Sequence, residues 1–390
     1  MRDRVGRDVV IVEAARTPIG RGKRETGYYA EVHPNELLGA SYGAVIDRAG
    51  IAPELVENVI AGCVTEVGEQ SQNIARNAWL QAGLPVTTPA STIDMQCGSA
   101  QQAVNLAAAQ IAAGVHDVVI GGGVEHMARV PMGSNASHPQ ETGVPFPPQL
   151  MDRYQLIPQG LSAELIAERW EIPRSELDEF GVRSQQLAAR ATDEGRFERE
   201  IVPMRVNGST FVSDQGIRPD TNLQTLATLK PAFKPDGRIT AATSSQISDG
   251  AAAVLLMSAE KASELGLKAR ARIVDQVTAG VDPVIMLTGP IPATRMILDR
   301  NGLAIGDIDL IEINEAFASV VLAWRRKLQP DMDRVNVNGG ALALGHPLGS
   351  SGARLIATLL HELERSDKEL GLVTMCTAGG TGPATLIQRV

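Results

Sequence analysis

The side chain best suited to covalent chemistry in this sequence is the thiol of Cys97. It lies in the segment 94–103, which has the sequence DMQCGSAQQA, and an Ala-rich pattern typical of a helix follows it. Unpaired backbone N–H groups at a helix N-terminus favour a thiolate and lower the pKa of a thiol. The segment therefore predicts a nucleophilic cysteine, although a small thiol buried in the core explains it equally well when it is taken alone.

A second candidate is His346, which lies in the glycine-rich segment 338–352 with the sequence NGGALALGHPLGSSG. So many glycines around one His-Pro pair indicate a backbone that wraps closely about a small group. A single histidine is more often a hydrogen-bonding residue of the interior than a base. An internal repeat, described below, reverses that preference because it relates His346 to Cys97.

Two further candidates follow predicted strands. Cys376 comes directly after the apolar run 372–375 and precedes a glycine-rich turn, whereas Asn314 begins the run NEAFA after the apolar run 310–313. Ligands of open α/β sheets gather at such strand ends. The alternative interpretations are a turn cysteine and a helix N-cap. The cysteines and histidines lack the spacing of a zinc site, so no metal is predicted.

The chain contains an internal repeat. Residues 46–52, IDRAGIA, match residues 298–304, LDRNGLA, and the register continues without a gap into an apolar run in each copy. Each copy predicts a helix end, a glycine C-cap, a short loop and a strand. The repeat predicts two homologous halves, near residues 1–120 and 275–390.

A second match at nearly the same offset pairs Gly98-Ser99 with Gly349-Ser350, each before a predicted helix. It puts Cys97 and His346 near equivalent helix starts of the two halves. If the halves pack about a pseudo-twofold axis, both residues can reach one cleft.

Apolar runs alternate with helical stretches in both halves, which predicts an α/β fold with buried sheets. Gly121–Gly123 are predicted to form a turn at a strand end. The predicted strands are Val9–Val12, Val118–Ile120, Leu310–Ile313 and Leu372–Met375, and the predicted helices are Leu37–Ala49, Ala100–Ala113, Pro292–Arg300 and Gly352–Leu363.

The region between the halves does not repeat. Residues 124–160 contain six prolines and predict a long structured loop, a helix is predicted from Ser175 as N-cap, and residues 205–240 again resemble a loop. This inserted region is partly basic, in the manner of a substrate-binding elaboration. Its scattered basic residues are Arg218, Lys230, Lys234 and Arg238.

Composition limits the partners and the compartment. The sequence has 36 Lys and Arg against 45 Asp and Glu, a net charge of −9, which argues against nucleic acid or an anionic membrane as a partner. Three cysteines are too few for a disulfide framework, so a reducing compartment is expected. No window approaches 18 apolar residues, so no membrane span is predicted. We expect a cytoplasmic protein.

Together these motifs resemble those of the thiolases, the acetyl-CoA C-acyltransferases, over essentially the whole chain. Related ketoacyl-carrier-protein synthases share the duplicated fold but are not expected to have a cysteine at the position of Cys376. The resemblance implies layered αβαβα halves: an N-terminal half, 1–270, with an inserted loop domain at about 124–245, and a C-terminal half, 271–390. The motifs are the Cys97-Gly98-Ser99 segment, the Asn314–Ala318 block, the Gly-His346-Pro loop and the Cys376 turn.

The resemblance also implies a role for each site residue. Cys97 is the nucleophile that becomes acylated, and His346 is the base for Cys97 or for the thiol of coenzyme A. Cys376 exchanges a proton with the acetyl-CoA carbon. Asn314 orients a water in one oxyanion hole, and the backbone N–H groups of Cys97 and Ala378 form the other.

Coenzyme A is, by the same resemblance, a substrate, and no tightly bound cofactor is expected. Arg218 corresponds to the arginine that contacts adenine, Ser245 to a serine near the pantetheine, and Phe317 to a residue of the pantetheine tunnel. Acyl-CoA and coenzyme A are the expected partners, and the protein is expected to be a homodimer or a homotetramer.

The sequence departs from the family pattern at two places. Ala378 replaces a usual glycine, so its N–H can serve the oxyanion hole only if its φ is negative. Residues 158–161, PQGL, replace the His-Met pair that short-chain acetoacetyl-CoA thiolases carry before a helix aligning with Ser162–Trp170. This second departure favours degradative cleavage of longer or bulkier 3-ketoacyl-CoAs. The alternatives are a biosynthetic acetoacetyl-CoA-forming thiolase and a non-catalytic acyl-CoA-binding relative.

Overall fold

The computed structural model describes residues 6–390. The helices are α1 (Pro34–Ala49), α2 (Ile74–Gln81), α3 (Ser99–Ala112), α4 (Pro139–Thr142), α5 (Pro148–Tyr154), α6 (Gln159–Arg169), α7 (Arg174–Asp193), α8 (Leu223–Ala227), α9 (Ala259–Glu264), α10 (Pro290–Asn301), α11 (Ala318–Leu328), α12 (Ala341–Leu344) and α13 (Ser351–Arg365). The strands are β1 (Val9–Arg16), β2 (Gly20–Arg21), β3 (Asn58–Gly62), β4 (Ala90–Ile93), β5 (Val118–His126), β6 (Met204–Val206), β7 (Ser209–Phe211), β8 (Ser248–Ser258), β9 (Ala271–Gly280), β10 (Leu310–Ile313), β11 (Leu370–Thr374) and β12 (Thr381–Arg389).

The repeat in the sequence is a repeat in the structure. Helix α1 ends at Gly50 with φ 68°, and α10 ends at Gly302 with φ 64°. Both glycines adopt the left-handed conformation that ends helices, and each donates its N–H to a carbonyl of the last turn. A single 3₁₀ turn follows in each copy and leads into β3 or β10.

The two halves contribute matching sets of strands to one continuous order of hydrogen-bonded strands. From the centre outwards, the N-terminal half supplies β1, β8, β5 and β3, and the C-terminal half supplies β9, β12, β11 and β10. In each half a parallel pair, β3–β5 or β10–β11, lies beside an antiparallel one, β5–β8 or β11–β12. A short antiparallel contact between β1 and β9 joins the halves. The order follows the pseudo-twofold relation that the repeat predicts.

Helices α3 and α13 form the middle layer. They pack against each other and against strands of both halves, and Gln101 of α3 donates to the carbonyl of Val373 and to Thr385 Oγ1 in the other half, at 3.1 and 2.8 Å. Helices α1 and α2 cover the outer face of one half, and α10 and α11 cover that of the other. The predicted layered α/β fold is confirmed.

The inserted region is more regular than its composition suggests. Strand β5 extends to His126, so Gly121–Gly123 lie inside a strand and the predicted turn is wrong. Helices α4 and α5 occupy part of the predicted 124–160 loop. Helix α7 begins at Arg174 after Pro173, without a side-chain cap, so the predicted N-cap at Ser175 is also wrong. Among residues 6–390, no helix has both the length and the apolar composition needed to cross a bilayer.

Two of the scattered basic residues hold the insertion together. Lys234 pairs with Glu168 on α6. The guanidinium of Arg238 donates to the carbonyls of Ala167 and Ile172 at 3.1 and 2.9 Å, at the end of the same helix. These two side chains therefore fix α6, whose first residue borders the site described next.

Candidate active site

Cys97 lies on a tight turn between β4 and α3. The preceding residue, Gln96, has φ 52°, which is uncommon for a residue other than glycine. Hydrogen bonds hold this turn: Ser99 Oγ accepts from the Met95 N–H at 2.9 Å and donates to the Gln96 carbonyl at 2.6 Å. The Cys97 side chain is 4% exposed. The nucleophile candidate is thus fixed in a strained turn at a helix start.

Burial dominates the electrostatics of this thiol. It raises the pKa of Cys97 to about 11, even though hydrogen bonds from the Ala378 N–H and the Gln159 side chain lower it, and the nearby charge of Glu125 raises it further. The expectation that the helix start gives a low pKa is therefore wrong for the resting site. Desolvation of the sulfur outweighs the dipole, so Cys97 rests as a thiol and needs a base.

The imidazole of His346, the candidate base, is held in one tautomer by its hydrogen bonds. Its Nδ1 lies 2.6 Å from Ser351 Oγ, and that hydroxyl donates to the Pro347 carbonyl at 2.9 Å. The hydroxyl therefore accepts from Nδ1–H, which leaves the lone pair on Nε2, 3.3 Å from Asn314 Nδ2. Burial, with a smaller effect from the Arg354 charge, lowers the pKa of His346 to about 3. The imidazole is neutral, with Nε2 as its acceptor.

Asn314 is fully buried beside this imidazole. Its backbone N–H bonds the Thr374 carbonyl at 3.1 Å, which ties the start of the NEAFA block to β11. Its Oδ1 accepts no hydrogen bond from any residue in the described range 6–390. A buried amide oxygen of this kind can accept a hydrogen bond from a water or a substrate group.

Cys376 lies between β11 and β12 and is fully buried. Burial raises the pKa of its thiol, and the charge of an ionised Cys97 raises it further, so the two sulfurs are electrostatic neighbours. Gly379 and Gly380, with φ 79° and 80°, turn the chain after it. Ala378 does not have a positive φ, so the condition for its N–H to serve the site is met.

A cavity of about 310 Å³ opens at Cys97. Met132 and Phe146, each 54% exposed, contribute to its outer wall from the inserted region. The wall therefore combines residues of both halves with residues of the insertion. The lining residues are Val64, Thr65, Gln96, Cys97, Met132, Gly133, Asn135, Ala136, Pro145, Phe146, Gln159, Leu348 and Ala378.

Two of the three residues predicted to contact coenzyme A lie next to the His346 loop. Ser245 donates its N–H to the Ala316 carbonyl at 2.9 Å, and its neighbour Gln246 accepts from the His346 N–H at 3.3 Å. The Phe317 ring packs edge-on against Phe233 with centroids 5.7 Å apart.

The third predicted contact, Arg218, is exposed. Its backbone N–H donates to Gln185 Oε1 at 2.7 Å. Partial burial and the charge of Arg21 lower its pKa. Arg218 and Arg21 are therefore neighbouring positive charges.

Two buried carboxylates that border the site had no predicted role. Glu125, at the end of β5, accepts from the N–H groups of Val64, Thr65 and Gly349 at 2.9–3.0 Å and from Gln70 Nε2 at 2.9 Å. It therefore links the cavity wall to the His346 loop. Its place near the carboxyl end of a buried strand was the available signal.

Glu315, the second, fixes the glycine-rich loop. Its carboxylate accepts from Ser184 Oγ at 2.6 Å, from Asn336 Nδ2 at 2.9 Å and from the Leu342 N–H at 3.2 Å. A Cβ at Gly340 would overlap this carboxylate. The glycine there is required by close approach, as the composition of the loop indicates.

The fold is a duplicated α/β architecture, and the comparisons with known proteins identify it further. The family model for the thiolase N-terminal domain matches residues 9–260, and that for the thiolase C-terminal domain matches residues 267–389. The chain therefore belongs to the thiolase family, the acetyl-CoA C-acyltransferases, and the predicted resemblance is confirmed.

Individual relatives agree. The chain is 45% identical, over 395 aligned positions, to the steroid 3-ketoacyl-CoA thiolase FadA6 of Mycobacterium tuberculosis, with 100% of this chain and 96% of that protein covered. It is 45% identical to the 3-ketoacyl-CoA thiolase of Psychrobacter cryohalolentis, with 98% of each covered. The crystal structure of the Bacillus anthracis acetyl-CoA acetyltransferase is similar at a TM-score of 0.90 and 40% identity, covering 99% of this chain and 100% of that one.

Proposed function

We propose that this thiolase cleaves 3-ketoacyl-CoA with coenzyme A, in the degradative direction, through an acyl group on Cys97. The observation that carries the proposal is that Cys97 and Ala378 line one cavity, where the Ala378 N–H lowers the pKa of the Cys97 thiol. A neutral imidazole and a second thiol complete the groups that such a reaction needs.

In the first half-reaction, His346 Nε2 takes the proton of Cys97 and the sulfur attacks the 3-keto carbon. The bond between C2 and C3 then breaks, and C2 leaves as the enolate of acetyl-CoA. Cys376 gives its proton to that carbon. The buried position of Cys376 suits this role, because a thiol with a raised pKa stays protonated until a carbon base is present.

In the second half-reaction, coenzyme A attacks the acyl group on Cys97. The proton held by His346 first restores Cys376, and the neutral imidazole then accepts the proton of the coenzyme A thiol. When the thioester to Cys97 breaks, the sulfur takes this proton back. The cycle returns all three groups to their starting states.

Two oxyanions form in this cycle, and we assign each to a set of donors. Asn314, whose Oδ1 is buried without a hydrogen-bond donor among residues 6–390, would hold a water for one of them. The N–H groups of Cys97 and Ala378 would stabilise the other. Removal of one such donor typically costs about 100- to 1,000-fold in rate.

Coenzyme A would approach from the side of Ser245 and Phe317, which adjoin the His346 loop. The neighbouring charges of Arg218 and Arg21 favour an anionic group at the outer end of that path, in keeping with a nucleotide phosphate. Coenzyme A is a substrate here, and no tightly bound cofactor is part of the proposal.

The substrate we propose is a long or bulky 3-ketoacyl-CoA. The cavity at Cys97 is partly walled by exposed apolar side chains of the insertion, and one relative is named for steroid substrates. A second candidate is acetoacetyl-CoA formation, which the name of the similar Bacillus anthracis structure favours.

Thiolysis rates across acyl length test the choice. The enzyme is assayed with acetoacetyl-CoA, a C16 3-ketoacyl-CoA and a ring-bearing 3-ketoacyl-CoA, with loss of the 3-keto thioester followed optically. We expect kcat/KM for one of the two larger substrates to exceed that for acetoacetyl-CoA at least about tenfold, since each methylene adds about 0.8 kcal/mol of burial. A preference for acetoacetyl-CoA would favour the second candidate, and no cleavage of any substrate would overturn the proposal.

We also propose that the protein works in the cytoplasm as a homodimer or a homotetramer. Strand β4 lies at the end of the sheet path, and the nearby apolar side chains of Leu80 and Val86 are 41% and 74% exposed. An uncovered edge strand is a natural site for pairing with another copy. Light scattering after gel filtration should give two or four times 41.4 kDa.

A further inference from the structure

We propose that Gln159 is a further catalytic residue of this thiolase: its side-chain amide donates a hydrogen bond to the Cys97 sulfur and stabilises the thiolate that attacks the substrate. The inference rests on the proposed function, because it concerns the step in which Cys97 loses its proton. It adds a side-chain donor to the backbone donors already assigned.

Gln159 and Cys97 line the same cavity, together with Ala378. The Gln159 side chain and the Ala378 N–H both lower the pKa of the Cys97 thiol, as donors to its sulfur do. The two donors come from different parts of the chain, one from the insertion and one from the turn after Cys376. The sulfur is therefore held between two neutral N–H donors inside a buried site.

The position of Gln159 is fixed by its neighbours rather than by its own side chain. It is the first residue of α6, after Pro158. The next residue, Gly160, has no room for a Cβ, because the ring of Phe233 lies against it. One turn later, Glu164 accepts from the N–H groups of Arg238 and Ile239 at 2.8 and 2.9 Å. A donor on a helix anchored in this way is pre-aimed at the sulfur.

The physical reason for such a donor lies in the burial of the thiol. A thiolate formed in this site loses its hydration, and His346 is itself buried and unfavourable to protonate. A hydrogen bond to a charged group is roughly twice as strong as one between neutral groups, and more so where water is excluded. Once the sulfur is acylated it carries no charge, so the amide stabilises the reactive state more than the thioester that follows.

The test is the pH profile of Cys97 alkylation, which needs no acyl-CoA. The full-length enzyme and Gln159→Met, which keeps the length of the side chain and removes the donor, are reacted with iodoacetamide between pH 6 and 11. Modification of the Cys97 peptide is quantified by mass spectrometry. We expect Gln159→Met to move the profile to higher pH and to slow alkylation at pH 8 about tenfold, the effect of losing one hydrogen bond to a charged group.

Gln140→Met is the matched control, because Gln140 is an exposed glutamine of α4. It should leave the profile unchanged. Gln159→Glu provides a second variant if Gln159→Met does not fold, and its carboxylate should slow alkylation at least as much. An unshifted profile in the folded variant, with thiolysis by the unaltered enzyme intact, would overturn the role of Gln159 alone. Absence of thiolysis by the unaltered enzyme would instead overturn the proposed function.

Discussion

The starts of the two central helices, α3 and α13, occupy equivalent places in the repeat but carry different chemistry. The start of α3 presents a thiol, on a turn strained at Gln96, to a cavity that is open to ligands. The loop before α13 presents an imidazole that is 3% exposed and hydrogen-bonded at both ring nitrogens. The two halves thus have an equivalent backbone arrangement at these helix starts but carry different side chains on it.

The difference between the two sites indicates how a neutral thiol, Cys97, and a neutral imidazole, His346, can react together. At Cys97 the hydrogen-bond donors favour an anion, although burial and the charge of Glu125 keep the thiol protonated. At His346 the surroundings disfavour a cation. Neither group is ionised at rest, so we expect proton transfer between them to be driven by the bond that the sulfur forms with the substrate.

Replacing the thiol should have the largest effect. Cys97→Ala removes the only proposed covalent nucleophile, and we expect thiolysis to fall by at least about 10,000-fold, as is typical for loss of a nucleophile. Steady-state thiolysis of the best substrate measures this. Cys63→Ala is the control, since it removes another buried thiol and should retain activity. Equal losses in both variants would mean that Cys97 acts through packing alone.

Replacing the imidazole should be the next most severe change. His346→Gln keeps polar groups near Asn314 and Ser351 but removes the base, and we expect kcat to fall by about 1,000- to 10,000-fold. His361→Gln removes a histidine of equally lowered pKa on α13, away from Cys97, and should keep most of the activity. If His346→Gln still acylates Cys97 at the normal rate in a single turnover, another group is the base.

Replacing the second thiol should separate the two half-reactions. Cys376→Ala removes the proposed acid for the acetyl-CoA carbon, and we expect turnover to fall by about 100- to 1,000-fold. Acyl transfer from an acyl-CoA to Cys97 needs no carbon acid, so a mass adduct on the intact protein should still form. A variant that neither turns over nor forms the adduct would show that Cys376 is needed for the acyl step as well.

The smallest expected effect concerns acid stability. The pKa values of His346 and His361 are lowered to about 3 in the folded state, against an ordinary value of 6.5. Between these values the unfolded chain binds protons that the folded chain does not, so stability falls as the pH drops from about 6.5 towards 3. Each histidine contributes up to about 1.4 kcal/mol per pH unit. His361→Gln should therefore flatten the acid limb of the Tm profile, and an unchanged limb would contradict the lowered pKa.

The sequence alone was enough to predict the fold class, because the match of residues 46–52 with residues 298–304 revealed the duplication directly. It also indicated Cys97, His346 and Cys376 as candidate site residues, because their neighbouring glycines and small residues are visible in the chain. These signals are local, and each depends on a few adjacent residues.

Other features of the site could not be obtained in this way. The proposed contact of Gln159 with the Cys97 sulfur joins segments that are separated by α3, β5, α4 and α5, so no local pattern indicates it. The pKa of Cys97 was expected to be low because the helix start is local, whereas the burial that raises it comes from the packed halves. The predicted N-cap at Ser175 is wrong because α7 already begins at Arg174, with Pro173 at the N-cap position and no side-chain cap.

Gly123 of β5 has a further consequence. A Cβ at this position would overlap the carbonyl oxygen of Gly349, so backbone from one half touches backbone from the other just beside the His346 loop. The two halves are therefore packed backbone to backbone at this point, with no space for a side chain between them. If the chain were cut between its two halves, neither fragment would contain all the proposed site residues. Such fragments should therefore regain activity only if they reassociate with the same close backbone packing.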